Sequence, residues 1–99
     1  MPQQLSFRSD RVNELIKREL TMLLSTGTKD PRLKNVVITD VIVSRDLTSA
    51  RVFFSVQEDE HKKVAQLLNK AGGVFRSSLS KSLDLRQTPL LSIIYDKAP

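Results

Sequence analysis

An apolar stripe with helical spacing runs through residues 64–85 and is interrupted by two adjacent glycines. Gly72 and Gly73 each cost a helix interior about 1 kcal/mol relative to alanine, so they are expected to bend or break it. The sequence therefore predicts one amphipathic helix, from about residue 61 to residue 83, divided into two arms at Ala71-Gly72-Gly73. The apolar stripe that faces the core consists of Val64, Leu67, Leu68, Ala71, Val74 or Phe75, Leu79 and Leu83.

Basic residues are concentrated along the same stretch. Residues 62–86 contain six lysines and arginines and a single acid, Asp84, and this local charge of +5 equals the net charge of the whole 99-residue chain. Most charge runs are solvated helix faces, and these usually carry acids four residues from each cation. Neither Arg76 nor Lys81 has an acid at that spacing. The pattern therefore favours a polyanionic partner, and the candidate phosphate contacts are Lys70, Arg76, Lys81 and Arg86.

The residue types that catalysis and metal binding need are scarce. The chain has no cysteine and one histidine, His61, which lies among charged residues and is expected at the surface. Without a second histidine or a cysteine, neither a metal site nor an activated nucleophile can be built around it. No glycine-rich nucleotide loop is present. We therefore predict a protein that is not an enzyme, holds no metal or cofactor and takes no small-molecule substrate.

The N-terminal residues, MPQQLSF, lack the basic region and apolar segment of a secretory signal. No apolar run approaches the roughly 20 residues that span a bilayer. These features predict a cytoplasmic protein with no membrane partner.

The first half of the chain predicts a helix followed by two strands. After a loose lead-in over residues 1–7, a helix is expected from Arg11 to Leu24 with Ser9 as its N-cap and Gly27 as its stop. The β-branched run over residues 36–44 predicts a strand. Its apolar positions change parity at Thr39-Asp40, which a β-bulge would correct by returning them to one face. Residues 50–56 alternate well and complete an antiparallel hairpin.

The second half predicts the divided helix and a last strand. Asp59 is a candidate N-cap for the helix. Residues 90–96 carry apolar side chains on both parities, which indicates a central or well-covered strand. Phe53 is the one aromatic candidate for base stacking on an open strand face, but packing beneath a helix is the favoured prediction for it. The order α-β-β-α-(kink)-α-β predicts an α+β fold, a three-stranded sheet with helices packed on one face.

Cations without catalytic groups predict a binding module whose affinity comes mainly from phosphate neutralisation. With few exposed aromatic side chains, RNA recognised by shape and backbone is favoured over sequence-specific reading. The alternative, from a different class of function, is a module whose bent helix docks another protein.

Several segments resemble the bacterial ribosome-binding factor A family. The similarity extends over roughly residues 8–96, and its most specific parts are the hairpin and the helix–kink–helix with the LR-x-x-P-x-L that follows it. The matching segments are RSDRVNELIKREL, KDPRL, VIVSRDLTSARVFFSV, AGGVFRSSLSKSLDLRQTPLL and IIYD.

This resemblance implies a type II KH-like domain over residues 8–96, between the lead-in and a short end at residues 97–99. The GxxG loop that joins the helices of ordinary KH domains would be replaced by an Ala-x-Gly interruption, which matches Ala71-Gly72-Gly73. It also implies a monomer that binds the small (30S) ribosomal subunit and its 16S rRNA late in maturation. The resemblance also implies that the protein assists processing and folding of the rRNA 5′ end and that it matters most in the cold.

Carrying the resemblance over by position adds Arg45, in the hairpin connector, to the candidate RNA contacts. Asp46 beside it is better explained as a turn former. The candidate RNA-binding set is therefore Arg45, Lys70, Arg76, Lys81 and Arg86. A generic KH-type RNA-binding protein without ribosome specificity remains a further alternative.

Overall fold

The computed structural model describes residues 3–28, 30–83 and 88–97, and the side chains of these from residue 10 onwards. Short helical segments connect the main elements: a π-helical turn at Leu23–Gly27 and 3-10 turns at Leu33–Asn35 and Glu58–Glu60. The element order is the predicted one. The main elements are α1 (Gln3–Met22), β1 (Val37–Val43), β2 (Ser49–Ser55), α2 (His61–Lys70), α3 (Gly72–Ser82) and β3 (Leu90–Tyr95).

The three strands form a mixed sheet in the order β1-β2-β3. β1 and β2 are antiparallel, as the short connector predicted, whereas β3 runs parallel to β2. The prediction that residues 90–96 form a central or well-covered strand is wrong, because β2 is central, β3 lies at an edge, and every second residue of β3 is exposed. The apolar residues on both parities of β3 have another cause: Leu90 and Ile94 lie on the face of the sheet that no helix covers, with exposed fractions of 62% and 36%.

The predicted bulge in β1 is confirmed. Ile38 pairs with Phe54 and Asp40 pairs with Phe53, so the register shifts by one residue between Ile38 and Asp40. Because of this shift, Ile38 and Val41 both point towards the core although their numbers differ in parity. The four apolar positions that the bulge was expected to align, Val36, Ile38, Val41 and Val43, are all buried.

Helix α1 begins earlier than the sequence suggested. It starts at Gln3, so Ser9 lies inside the helix and the prediction that Ser9 is its N-cap is wrong. Residues 3–9 contain neither glycine nor proline, and nothing in them ends a helix that propagates from the amphipathic part. The π-helical turn that follows α1 ends at Gly27, the predicted stop. The domain boundary at residue 8 stays a prediction.

The core lies between the sheet and the helices. α1 packs mainly on β1, α2 packs on β3, and α3 contacts both α1 and β3. Phe53 alternates with the buried residues of β2 and therefore lies, with Arg51 and Ser55, on the face of the sheet away from the core. The prediction that Phe53 packs beneath a helix is wrong. Buried residues from every main element except β3 form one cluster, and the half-buried Leu91, Ile93 and Tyr95 of β3 pack against it. The cluster includes Ile16, Leu20, Val52, Phe54, Val64, Leu68, Phe75 and Leu79.

The start of α2 differs from the sequence prediction in two respects. Asp59 is part of the 3-10 turn and provides no side-chain cap, because the residue before α2 is Glu60. His61 is half-buried rather than exposed, and its ring stacks on Tyr95 with centroids 4.3 Å apart. The His61 Nδ1–H donates to the Glu58 carbonyl oxygen at 2.6 Å. These contacts fix the start of α2 against the end of β3.

Candidate nucleic-acid interface

The division of the long helix falls at Ala71. This residue has φ −82° and ψ 0°, which separates α2 from α3. The hydrogen bonding continues on both sides of it, since the Ala71 N–H donates to the Leu67 carbonyl at 3.1 Å and the Phe75 N–H donates to the Ala71 carbonyl at 2.9 Å. Gly72 and Gly73 form the first residues of α3, and neither has a positive φ. The interruption therefore divides the helical rod into two helices, α2 and α3, at Ala71, as the sequence predicted.

The solvent-facing side of this rod combines small residues with cations. Phe75 and Leu79 are buried, so Phe75 and not Val74 continues the core stripe. Val74 is 66% exposed. Lys70 stands in the last turn of α2 and Lys81 in the last turn of α3, both exposed. We call this side the outer helical surface, comprising Lys70, Gly73, Val74, Ser77, Ser80 and Lys81.

Lys70 and Lys81 are not neutralised by the residues around them that the structure describes. The side chains of residues 10–28, 30–83 and 88–97 form one ion pair, between Arg32 and Asp30. Exposed cations without carboxylate partners retain their full charge for a polyanion. Lys70 and Lys81 are therefore accessible to a phosphate group, and their contact with RNA stays a prediction.

Arg76 is placed differently from the prediction. Its side chain is half-buried, and its guanidinium donates from Nε to the Pro89 carbonyl and from Nη2 to the Thr88 carbonyl, each at 3.2 Å. The expectation of an outward cation like Lys81 is wrong on this point, because Arg76 connects α3 to the segment that enters β3. The partners are backbone carbonyls twelve and thirteen residues away, which no side-chain pattern in the sequence reveals.

Arg45 is exposed in the turn between β1 and β2. Asp46 organises this turn: its Oδ1 accepts hydrogen bonds from the Thr48 and Ser44 hydroxyls, both at 2.8 Å, and from the Thr48 N–H at 3.2 Å. These bonds, with the Thr48 hydroxyl as the largest cause, lower the pKa of the Asp46 carboxyl. The turn also contains Leu47 with φ 64°. Asp46 is thus the turn former that was expected.

The hairpin turn and the segment tied by Arg76 meet at one end of the sheet. The Leu90 N–H donates to the Thr48 carbonyl at 3.0 Å, which joins the start of β3 to the turn that carries Arg45. Arg45 and Arg76 are therefore at the same end of the molecule. Arg86, the fifth predicted contact, lies outside the described residues.

An open groove lies beside α2 that sequence reasoning did not predict. Its volume is about 740 Å³, and it extends between α2 and the segment before β1. Arg32 is oriented by Asp30, which accepts from Nε at 3.2 Å and from Nη2 at 3.1 Å; this pairing raises the pKa of Arg32 and lowers that of Asp30. The lining residues are Arg32, Lys63, Ala65, Gln66, Leu67, Asn69 and Lys70.

Metal-ligating clusters and long apolar helices would define two other kinds of site, and the described residues form neither. No group of His, Asp and Glu side chains among them is arranged to hold a metal ion. None of the described helices combines the length and the apolar character that a membrane span requires.

An α-β-β-α-α-β chain whose mixed sheet is covered by helices on one face defines a KH-like domain. The sequence matches the family model described as ribosome-binding factor A over residues 8–99, and the chain belongs to this family. It is 56% identical over 97 residues to ribosome-binding factor A of Vesicomyosocius okutanii, covering 98% of this chain and 85% of that protein. It is 57% identical over 98 residues to that of Ruthia magnifica, covering 99% and 88%.

Solved structures agree with this assignment. The crystal structure of ribosome-binding factor A from Thermus thermophilus superposes with a TM-score of 0.83 at 21% identity, covering 92% of this chain and 98% of that one. The solution structure of a Thermotoga maritima protein described as a putative ribosome binding factor A gives a TM-score of 0.79 at 31% identity, covering 95% and 92%.

Proposed function

We propose that this chain binds the small (30S) ribosomal subunit through its 16S rRNA during late maturation. It assists processing and folding of the rRNA 5′ end, matters most in the cold, and acts as a cytoplasmic monomer that catalyses no reaction. The observation that carries the proposal is the match to ribosome-binding factor A proteins over 98–99% of the chain at 56–57% identity.

A related structure supports the choice of the 30S subunit as the partner. A homology model of the Thermus thermophilus ribosome-binding factor A has been fitted into a cryo-electron-microscopy map of its complex with the 30S subunit. That chain has the same fold, with a TM-score of 0.71 over 87% of this chain. The partner in that complex is the partner of the Thermus protein, and we extend it to the present chain.

The charge distribution supports RNA as the part of the subunit that is bound. Lys70 and Lys81 project from the outer helical surface without carboxylate partners among the described residues. Apart from the exposed Val74, the side chains between them are small or absent, since they belong to Gly73, Ser77 and Ser80. A bulky ribose–phosphate backbone can approach the helix closely beside these residues. Phosphate contacts of this kind position a protein on RNA without reading its sequence.

Co-sedimentation with purified 30S subunits, whole ribosomes and free RNA tests the proposal. We expect the chain to pellet with 30S subunits, and Lys70→Glu and Lys81→Glu each to weaken this binding about tenfold, the effect of losing one charge-assisted contact. Arg51→Glu is the matched control, because Arg51 is exposed on the face of the sheet opposite the helices. Equal binding to unrelated RNA would indicate a generic RNA-binding module instead. Unchanged 30S binding by both lysine variants would place the contact surface elsewhere.

The role in maturation requires a cellular measurement. Replacing the native gene with the Lys70→Glu and Lys81→Glu double variant should cause precursor 16S rRNA with an unprocessed 5′ end to accumulate, more strongly at low temperature. The Arg51→Glu strain serves as the control for the charge change. Normal 5′ ends in the double-variant strain at low temperature, with the variant shown not to bind 30S subunits, would contradict the proposed role in processing.

A further inference from the structure

The groove beside α2 continues the cationic surface beyond the helix break. Lys70 belongs both to the outer helical surface and to the groove lining, so the two regions share a residue. Lys63, Gln66 and Lys70 follow at intervals of three and four residues, which places them on one side of α2. Across the groove stands Arg32. A molecule that contacts Lys70 from the α3 side can therefore continue along α2 to Lys63. The carboxylates of Asp30 and Glu60 act on Arg32 at the far side of the groove.

The cations of the groove are suited to hold an anion. Lys63 and Lys70 are exposed and have no ion-pair partner among the residues whose side chains are described. Asp30 occupies Nε and Nη2 of Arg32, and since a guanidinium carries five N–H donors, the remaining donors stay available. The side chain of Arg32 is 45% exposed in this pairing. Asp30 thus fixes the direction of the guanidinium while leaving part of it open.

The dimensions favour a chain of phosphates over a single small anion. Lys63 and Lys70 are two helical turns apart, about 10 Å along the axis of α2. Neighbouring phosphates of one strand are roughly 3.4 Å apart along the axis of a duplex and farther apart along the backbone itself, so this interval spans more than one phosphate. The groove is an open trough of about 740 Å³ and not an enclosed cavity. Half-buried Leu67 is among its lining residues, and the Gln66 amide can donate to a phosphate oxygen.

We propose that the groove lined by Arg32, Lys63, Gln66 and Lys70 binds a ribose–phosphate strand of rRNA that continues from the outer helical surface. The inference rests on the proposed function, because it extends the same RNA contact along α2. It adds Arg32, Lys63 and Gln66 to the binding residues.

Two adjacent lysines provide the test. Lys62 and Lys63 are both exposed and both belong to α2, but only Lys63 lines the groove. We expect Lys63→Glu to weaken 30S binding about tenfold and Lys62→Glu to weaken it less than twofold, with unchanged thermal unfolding of both variants. Equal losses in the two variants, or none in either, would overturn the groove as a contact. Wild-type protein that fails to bind 30S subunits at all would instead refute the proposed function.

Crosslinking identifies what occupies the groove. Because the sequence contains no cysteine, Gln66→Cys provides a unique attachment point for a short photo-crosslinker. Thr21→Cys on α1 is the control position, since Thr21 is exposed and lies outside this groove. In complexes with 30S subunits we expect the label at position 66 to crosslink to 16S rRNA and the label at position 21 to crosslink much less. Crosslinks from position 66 to ribosomal protein alone, or to nothing, would overturn the proposal.

Discussion

The side chain of Arg76 is held by backbone atoms, which the sequence pattern did not reveal. The guanidinium donates to the carbonyls of Thr88 and Pro89 from a half-buried position. Arg76→Lys keeps the charge but loses the planar fork that reaches both oxygens. We expect this variant to lower the free energy of unfolding by about 1–3 kcal/mol, measured by urea denaturation. Lys81→Ala, at an exposed position, should change it by less than about 0.5 kcal/mol. If Arg76→Lys unfolds like the wild type, the two bonds contribute nothing to stability.

The hydrogen bonds to Asp46 predict that its contribution to stability depends on pH. Its folded-state pKa is lowered by hydrogen bonds from the Thr48 hydroxyl, the Ser44 hydroxyl and the Thr48 N–H. A carboxyl with a depressed folded pKa stabilises the protein above its unfolded pKa, and this contribution is lost as the pH falls through the folded pKa. The Asp46 carboxyl should therefore titrate below 3.8 by NMR. The stability difference between wild type and Asp46→Asn should be constant near neutral pH and shrink below pH 4. A difference independent of pH would contradict the assigned cause.

At the scale of the elements, the glycines that divide the long helix are not needed for packing. A Cβ added at Gly72 or Gly73 would meet no atom within 4 Å, and neither residue has a positive φ. Alanine costs a helix less than glycine, so Gly72→Ala should raise the free energy of unfolding by about 0.5–1 kcal/mol. Denaturant titration measures the change, and Gly27→Ala is a comparison in which the Cβ would lie 3.5 Å from Leu23. A loss of stability in Gly72→Ala would mean that the break depends on glycine.

The elements also show which parts of the fold are encoded locally. The bulge in β1 could be predicted because the change in parity at Thr39-Asp40 is visible within the strand itself. The edge position of β3 could not, because it depends on the pairing of β3 with β2 across the whole α2–α3 segment. Apolar residues on both parities have two explanations, a covered strand or an apolar open face, and only the sheet order distinguishes them. Leu90 and Ile94 belong to the second case.

For the whole molecule, the placement of the predicted contact residues could be foreseen only in part, for the same reason. Lys70 and Lys81 could be predicted because helical spacing alone sets which residues face outward. To predict the placement of Arg76, one would need the position of Thr88, twelve residues away. To predict the placement of Arg32, one would need the packing of the segment before β1 against α2. Contacts made within one helix follow from its period, whereas those between segments distant in sequence follow from tertiary structure. The groove beside α2 is of the second kind.

The salt dependence of 30S binding measures the cationic surface as a unit. Each phosphate neutralised by a lysine or arginine releases counterions, so the logarithm of the binding constant falls with the logarithm of salt concentration by about 0.7–0.9 per contact. The Lys70→Glu and Lys81→Glu double variant should have a slope shallower by roughly 1.5, whereas Arg51→Glu on the opposite face should keep the wild-type slope. The titration uses KCl at constant Mg²⁺, so that the subunit itself stays intact. Binding by the wild type that does not change with salt would show that contacts other than phosphate neutralisation dominate the affinity.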